Sequence, residues 1–158
     1  MKTKFLSLLL FISIFGCFGS PVKMAMVSDD DLKYVATMEL CTAYGDKLFR
    51  TDRIKNELIA RLALHRKLPE NTTAVFRDES GKIAVISHKQ PPPEPWEWDL
   101  IAKGEIKKGM TQCGLLASWG RPAQIVKKSR RVDEWIYHRF FGQGLVYVRE
   151  GKIKSWEE

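Results

Sequence analysis

Three cysteines, Cys17, Cys41 and Cys113, and three histidines, His65, His88 and His138, are the side chains here best suited to nucleophilic, acid–base or metal chemistry. Their spacing supports little of it. Neither Cys41 nor Cys113 has a His or second Cys at metal-ligand spacing, so no zinc site is expected. The sequence contains no Cys-x-x-Cys, no Gly-x-Ser-x-Gly and no glycine-rich phosphate loop. His138 beside Arg139 has the chemistry of a base, but no nucleophile can be named for it. Asp29, Asp30 and Asp31 read as the acidic first turn of a helix rather than a cation site. No catalytic residue, metal or cofactor is therefore expected, and the chain reads as one that binds.

The first residues give an address. Lys2 and Lys4 precede an uncharged run, FLSLLLFISIF, at residues 5–15. At about 1.5 Å per residue this run covers about half of a bilayer core, too little for a transmembrane helix. Basic start, apolar run and the small residues Gly16, Gly19 and Ser20 together read as an export signal. Ile14-Phe15-Gly16-Cys17 resembles the lipobox of bacterial lipoproteins, which implies removal of residues 1–16 and acylation of Cys17. Cleavage after Gly19, leaving a soluble periplasmic chain, is the alternative. Phe18, in place of Asp, implies sorting to the outer membrane. In an oxidising compartment Cys41 and Cys113 either pair, stapling the front of the chain to its back, or remain two buried thiols.

Charge is unevenly spread. The formal net charge is +7. From Cys17 to Asp99 there are 12 Lys+Arg against 13 Asp+Glu, and from Leu100 to Glu158 there are 12 against 6. Lys127, Lys128, Arg130 and Arg131 concentrate this excess. In an exported chain such a cluster would face anionic lipid headgroups or an acidic partner surface, and export removes nucleic acid as a partner. A solvated loop is the competing reading.

These residues need elements to hold them. After a tether over residues 17–28, Ser28 and the three aspartates start a helix expected to reach Phe49, with Tyr34, Met38, Cys41 and Leu48 at helical spacing and Gly45 as a weak point. A second helix runs from Asp52 towards Leu68, with Ile54, Leu58, Leu62 and His65 on its buried face and its Arg and Lys side chains in solvent. Thr73–Phe76 and Ile83–Ile86 form a hairpin turning near Gly81. Residues 90–95, with four prolines, read as a stiff spacer closing a region over residues 29–89. Beyond it, Trp96–Lys103 is a short helix ending at Gly104. Thr111 caps another through Trp119, stopped by Gly120 and Pro122. Gln124–Lys127, Glu134–Phe141, Leu145–Arg149 and Lys152–Trp156 then form an antiparallel meander with turns at Gly142–Gly144 and Glu150-Gly151. Trp135 and Tyr137 fall on one face of their strand.

The C-terminal segment, residues 96–158, carries motifs that appear elsewhere in this order. Gly109-Met110-Thr111 opening a helix, Gly120-Arg121-Pro122 closing it, Trp135-Ile136-Tyr137 in a strand, and a strand ending at Glu150-Gly151 resemble the SmpA/OmlA family. These are the small, BamE-like lipoproteins of the outer-membrane β-barrel assembly machinery. The resemblance spans about residues 106–156. It implies an α+β fold, a helix pair packed on a small antiparallel meander, related to that of β-lactamase-inhibitor proteins. It also implies a non-catalytic role at the periplasmic face of the outer membrane, binding an envelope protein partner in support of outer-membrane protein assembly or envelope integrity. The competing class is a periplasmic or secreted inhibitor of an envelope enzyme on the same fold. Gly114 stands where the family usually carries an acidic or polar residue, so the carboxylate of a capping box is missing from this helix.

Overall fold

The computed structural model describes residues 27–46, 51–69, 72–77, 79, 83–87, 89–139 and 142–157. Cys17, the apolar run, Gly81 and His88 lie outside these. In chain order the elements are α1 (Asp29–Leu32), α2 (Thr37–Gly45), α3 (Asp52–His65), β1 (Thr73–Arg77), β2 (Ile83–Ser87), α4 (Glu97–Lys103), α5 (Gln112–Trp119), β3 (Gln124–Lys127), β4 (Val132–Arg139), β5 (Gly142–Arg149) and β6 (Lys152–Glu157). The protein is α+β, with a two-stranded sheet, β1-β2, and a four-stranded sheet, β3-β4-β5-β6, all pairs antiparallel.

The expected first helix is two helices. Ser28 caps α1, its hydroxyl accepting from the Asp31 N–H, but the helix stops at Leu32 and α2 begins at Thr37. The interruption frees carbonyls that need donors, and Arg61 of α3 supplies them. Its guanidinium donates to the carbonyls of Leu32 and Lys33 at 3.0 Å each and to Thr37 Oγ1 at 2.9 Å, while Glu57 accepts from its Nε at 2.8 Å. The Arg61 side chain is only 3% exposed. The expectation that the basic residues of this helix all face solvent therefore fails at Arg61. Ile54, Leu58, Leu62 and His65 are buried along one face of α3, as their spacing predicts.

At its other end α2 stops at Gly45, where it meets α5. A Cβ on Gly45 would sit 1.9 Å from the Leu116 carbonyl oxygen and 2.9 Å from the Gly120 Cα. The glycine is there for that approach. Cys113 to Ser118 of α5 are all buried, so this helix is enclosed on every side, as a helix without a polar face must be. It lies between the sheet and the helices α2 and α4.

The proline-rich segment is extended but is not a solvent-exposed spacer. Pro92 and Pro93 are completely buried. Proline suits burial in irregular backbone because it brings no N–H that would need a partner. One hydrophobic cluster runs across it, joining Leu40, Cys41 and Leu58 to Ile101, Leu115, Trp135 and Val146.

In the larger sheet β4 pairs with β5 from Val132↔Arg149 to Arg139↔Gly142. Gly142–Gly144 are thus strand residues rather than the expected turn, and residues 140 and 141 lie outside the described residues. Gly144 stands opposite Tyr137 and places no side chain beside its ring. Trp135 and Tyr137 are buried on the face toward α5, as alternation predicts. Glu150 (φ 52°) and Gly151 (φ 77°) make the tight turn into β6.

Candidate functional site

Cys41 on α2 and Cys113 on α5 lie at disulfide-bonding distance, with their Cα atoms 5.2 Å apart and a sequence separation of 72. Both are fully buried. They tie the packed pair α2 and α5 together at the middle of the core.

The Gly-Met-Thr segment fastens α5 to the start of β6. The Gly109 N–H donates to the Ile153 carbonyl, the Ile153 N–H to the Met110 carbonyl, and the Gln112 N–H to the Gly151 carbonyl, each at 2.8 Å. Gly109 takes φ 89°, which favours glycine, and Met110 is fully buried. Thr111 caps α5 as expected, its hydroxyl accepting from the Gly114 N–H at 2.9 Å. Gly120, at φ 77°, ends the helix, and its carbonyl accepts from the Tyr137 hydroxyl at 3.3 Å. Pro122 follows in the loop to β3.

The carboxylate expected to be missing from this cap arrives from another helix. Glu97, in the first turn of α4, accepts from the Thr111 N–H at 3.0 Å through Oε1 and from the Thr111 hydroxyl at 2.8 Å through Oε2. It does for α5 what the third residue of a capping box does for its own helix. Gly114 makes the space: a Cβ there would lie 1.9 Å from Glu97 Oε2. Glu97 has no exposed surface, and burial pushes its carboxyl from the ordinary 4.5 up to about 7, against the opposing effect of the Thr111 hydrogen bonds. Sequence reading missed Glu97 because its partner lies on a different element. The available signal was an acidic residue at the start of a short helix, paired with an absent side chain at Gly114.

The basic cluster sits on the connection from β3 to β4. Lys127 ends β3, Lys128 pairs with Glu134 at 3.2 Å, and Arg131 lies 3.9 Å from Glu150. The Lys128 and Arg131 side chains are 52% and 71% exposed, so these pairs contribute little to stability. Arg130 and Arg131 also line an open groove of about 780 Å³, together with the proline-rich segment at Lys89–Pro91 and Glu94, His65 at the end of α3, and the Glu150–Lys152 turn. Lys127 and Lys128 do not line it. The structure therefore brings together half of the expected cluster with residues from other elements that sequence distance had separated. His138 is exposed, and Asp29–Asp31 stand at the start of α1. Among the described residues no group of three or more His, Cys, Asp or Glu side chains is arranged to hold a metal ion. No described helix is long and apolar enough to cross a membrane.

No protein-family model matches the chain, and neither curated proteins nor solved structures show a significant match to it.

Proposed function

We propose that this protein is a non-catalytic cell-envelope lipoprotein, anchored through acylated Cys17 to the periplasmic face of the outer membrane. There it supports outer-membrane protein assembly or envelope integrity by binding protein and lipid. The Cys41–Cys113 pairing carries the reading. Two cysteines 72 residues apart, meeting at bonding distance in the core, suit an oxidising compartment, which is where an export signal delivers a chain. Further support comes from the order of the C-terminal motifs. Gly109-Met110-Thr111, Gly120 with Pro122, and Trp135 with Tyr137 hold a helix against an antiparallel meander, the arrangement expected of a BamE-like lipoprotein.

Two measurements test this. Cys17→Ser should abolish fatty-acid labelling and release the protein from membranes; unchanged fractionation defeats the anchor. Crosslinking in native membranes should then recover subunits of the barrel-assembly machinery. A freely soluble protein that co-purifies with a hydrolase would instead establish the inhibitor class.

A further inference from the structure

The groove between the proline-rich segment and the end of the sheet mixes charges in a way that a plain basic surface does not. Lys89 and Glu94 of the proline-rich segment, Arg130 and Asp133 around the start of β4, and Glu150 and Lys152 of the turn into β6 all line it. Each of these three segments thus offers both signs. Two of the carboxylates are engaged at the exposed rim, Glu94 with Arg66 at 2.6 Å and Glu150 with Arg131 at 3.9 Å. Lys89, Arg130, Lys152 and Asp133 have no ion pair among the described residues. Three cations and one carboxylate are therefore left facing the open space.

That pattern selects against a compact anion. A phosphate drawn to the three cations would offer no group to answer Asp133, the one carboxylate left unengaged. An extended chain avoids this by spreading its charges. Its carboxylates can lie against Lys89, Arg130 and Lys152 while a cationic side chain between them answers Asp133. The space of about 780 Å³ falls within the range of specific ligand sites. Part of its lining is also held by backbone contacts. The Gly151 carbonyl accepts from Gln112 at 2.8 Å, and a Cβ on Gly151 would lie only 3.1 Å from the Lys89 carbonyl oxygen, so sheet turn and proline segment are packed backbone to backbone. Lining held this way is organised before the ligand arrives, which lowers the ordering cost of binding.

We propose that the groove binds an extended peptide segment of net negative charge, with a cationic residue among its carboxylates, presented by a partner protein. This rests on the binding reading above and names the ligand chemistry of that surface.

The test uses the full-length protein in detergent micelles and fluorescence anisotropy. The probe is a fluorescein-labelled Glu-rich peptide with one central Lys; the controls replace every Glu by Gln, or the Lys by Glu. The probe should bind, the Gln control about tenfold more weakly, and the all-Glu control more weakly than the probe. Arg130→Glu with Lys152→Glu should weaken the probe about tenfold while thermal melting stays unchanged, and Asp133→Ala should erase the preference for the Lys-bearing peptide. Equal binding by the double variant, or equal binding of the Gln control, overturns the proposal. So does an absence of peptide binding alongside charge-dependent binding to vesicles of anionic phospholipid, which would make a membrane the occupant. None of these outcomes alters the result of Cys17→Ser, so the anchor and the groove fail separately.

Discussion

Glu97 makes the stability of this protein depend on pH in a direction opposite to that of most carboxylates. Its carboxyl is buried and titrates near 7 in the folded chain, against 4.5 when exposed. Between those values the folded state holds a proton that the unfolded state has released, so stability falls as pH rises through that window. A difference of 2.5 pKa units corresponds to about 3 kcal/mol. The stabilisation is fully present below about pH 4.5 and is lost above about pH 7. Glu97→Gln keeps the shape and can still accept from the Thr111 N–H, but it cannot ionise. Urea unfolding of wild type and Glu97→Gln, with the disulfide kept oxidised, should therefore be measured from pH 4.5 to pH 8. The variant should gain on wild type by about 3 kcal/mol across that range. All other side chains are common to both proteins, so the difference between the two curves reports residue 97 in its surroundings. Two stability curves that stay parallel would refute the reasoning. They would mean that the Thr111 hydrogen bonds, which favour the charged form, offset burial.

Three further perturbations probe the same core. Gly114→Ala should destabilise by about 2 kcal/mol because its Cβ would collide with Glu97 Oε2, and Glu97→Ala in the same chain should recover part of that loss; additive costs in the double variant would exclude the collision. Opening the Cys41–Cys113 bond releases a loop of 72 residues and should lower stability by about 4 kcal/mol, read as the shift in urea midpoint on adding reductant. Arg61→Met should cost about 3 kcal/mol by stranding the Lys33 carbonyl and leaving that of Leu32 to the Val35 N–H alone, and faster amide exchange at the start of α2 would locate the damage there.

Much of the local structure was legible in the sequence because it obeys short-range rules. The Thr111 cap and the stop at Gly120 depend on residues within one turn, and the burial of Ile54, Leu58 and Leu62 follows from helical period alone. Two readings failed where a distant partner changed the balance. The break after Leu32 is tolerated because Arg61, on another helix, binds the carbonyls it exposes. Gly142–Gly144 looked like a turn because glycines usually mark one, yet pairing with β4 holds them in a strand, where Gly144 lies opposite Tyr137. The prolines looked like a spacer, and the burial of Pro92 and Pro93 shows that composition alone cannot tell an extended segment in water from one in a core.

The same division holds for chemistry. By itself the sequence determined the types of side chain present: two cysteines able to pair, a cluster of cations, and motifs without a catalytic constellation. Tertiary structure decided which of them meet. It brought Cys41 to Cys113, Glu97 into the cap of a helix that lacks its own carboxylate, and Arg130 and Arg131 to a groove that the proline segment also lines. The physical reason is common to all three. Each depends on residues far apart in sequence being brought together, and only the packing of the helices and sheet around one core sets those distances.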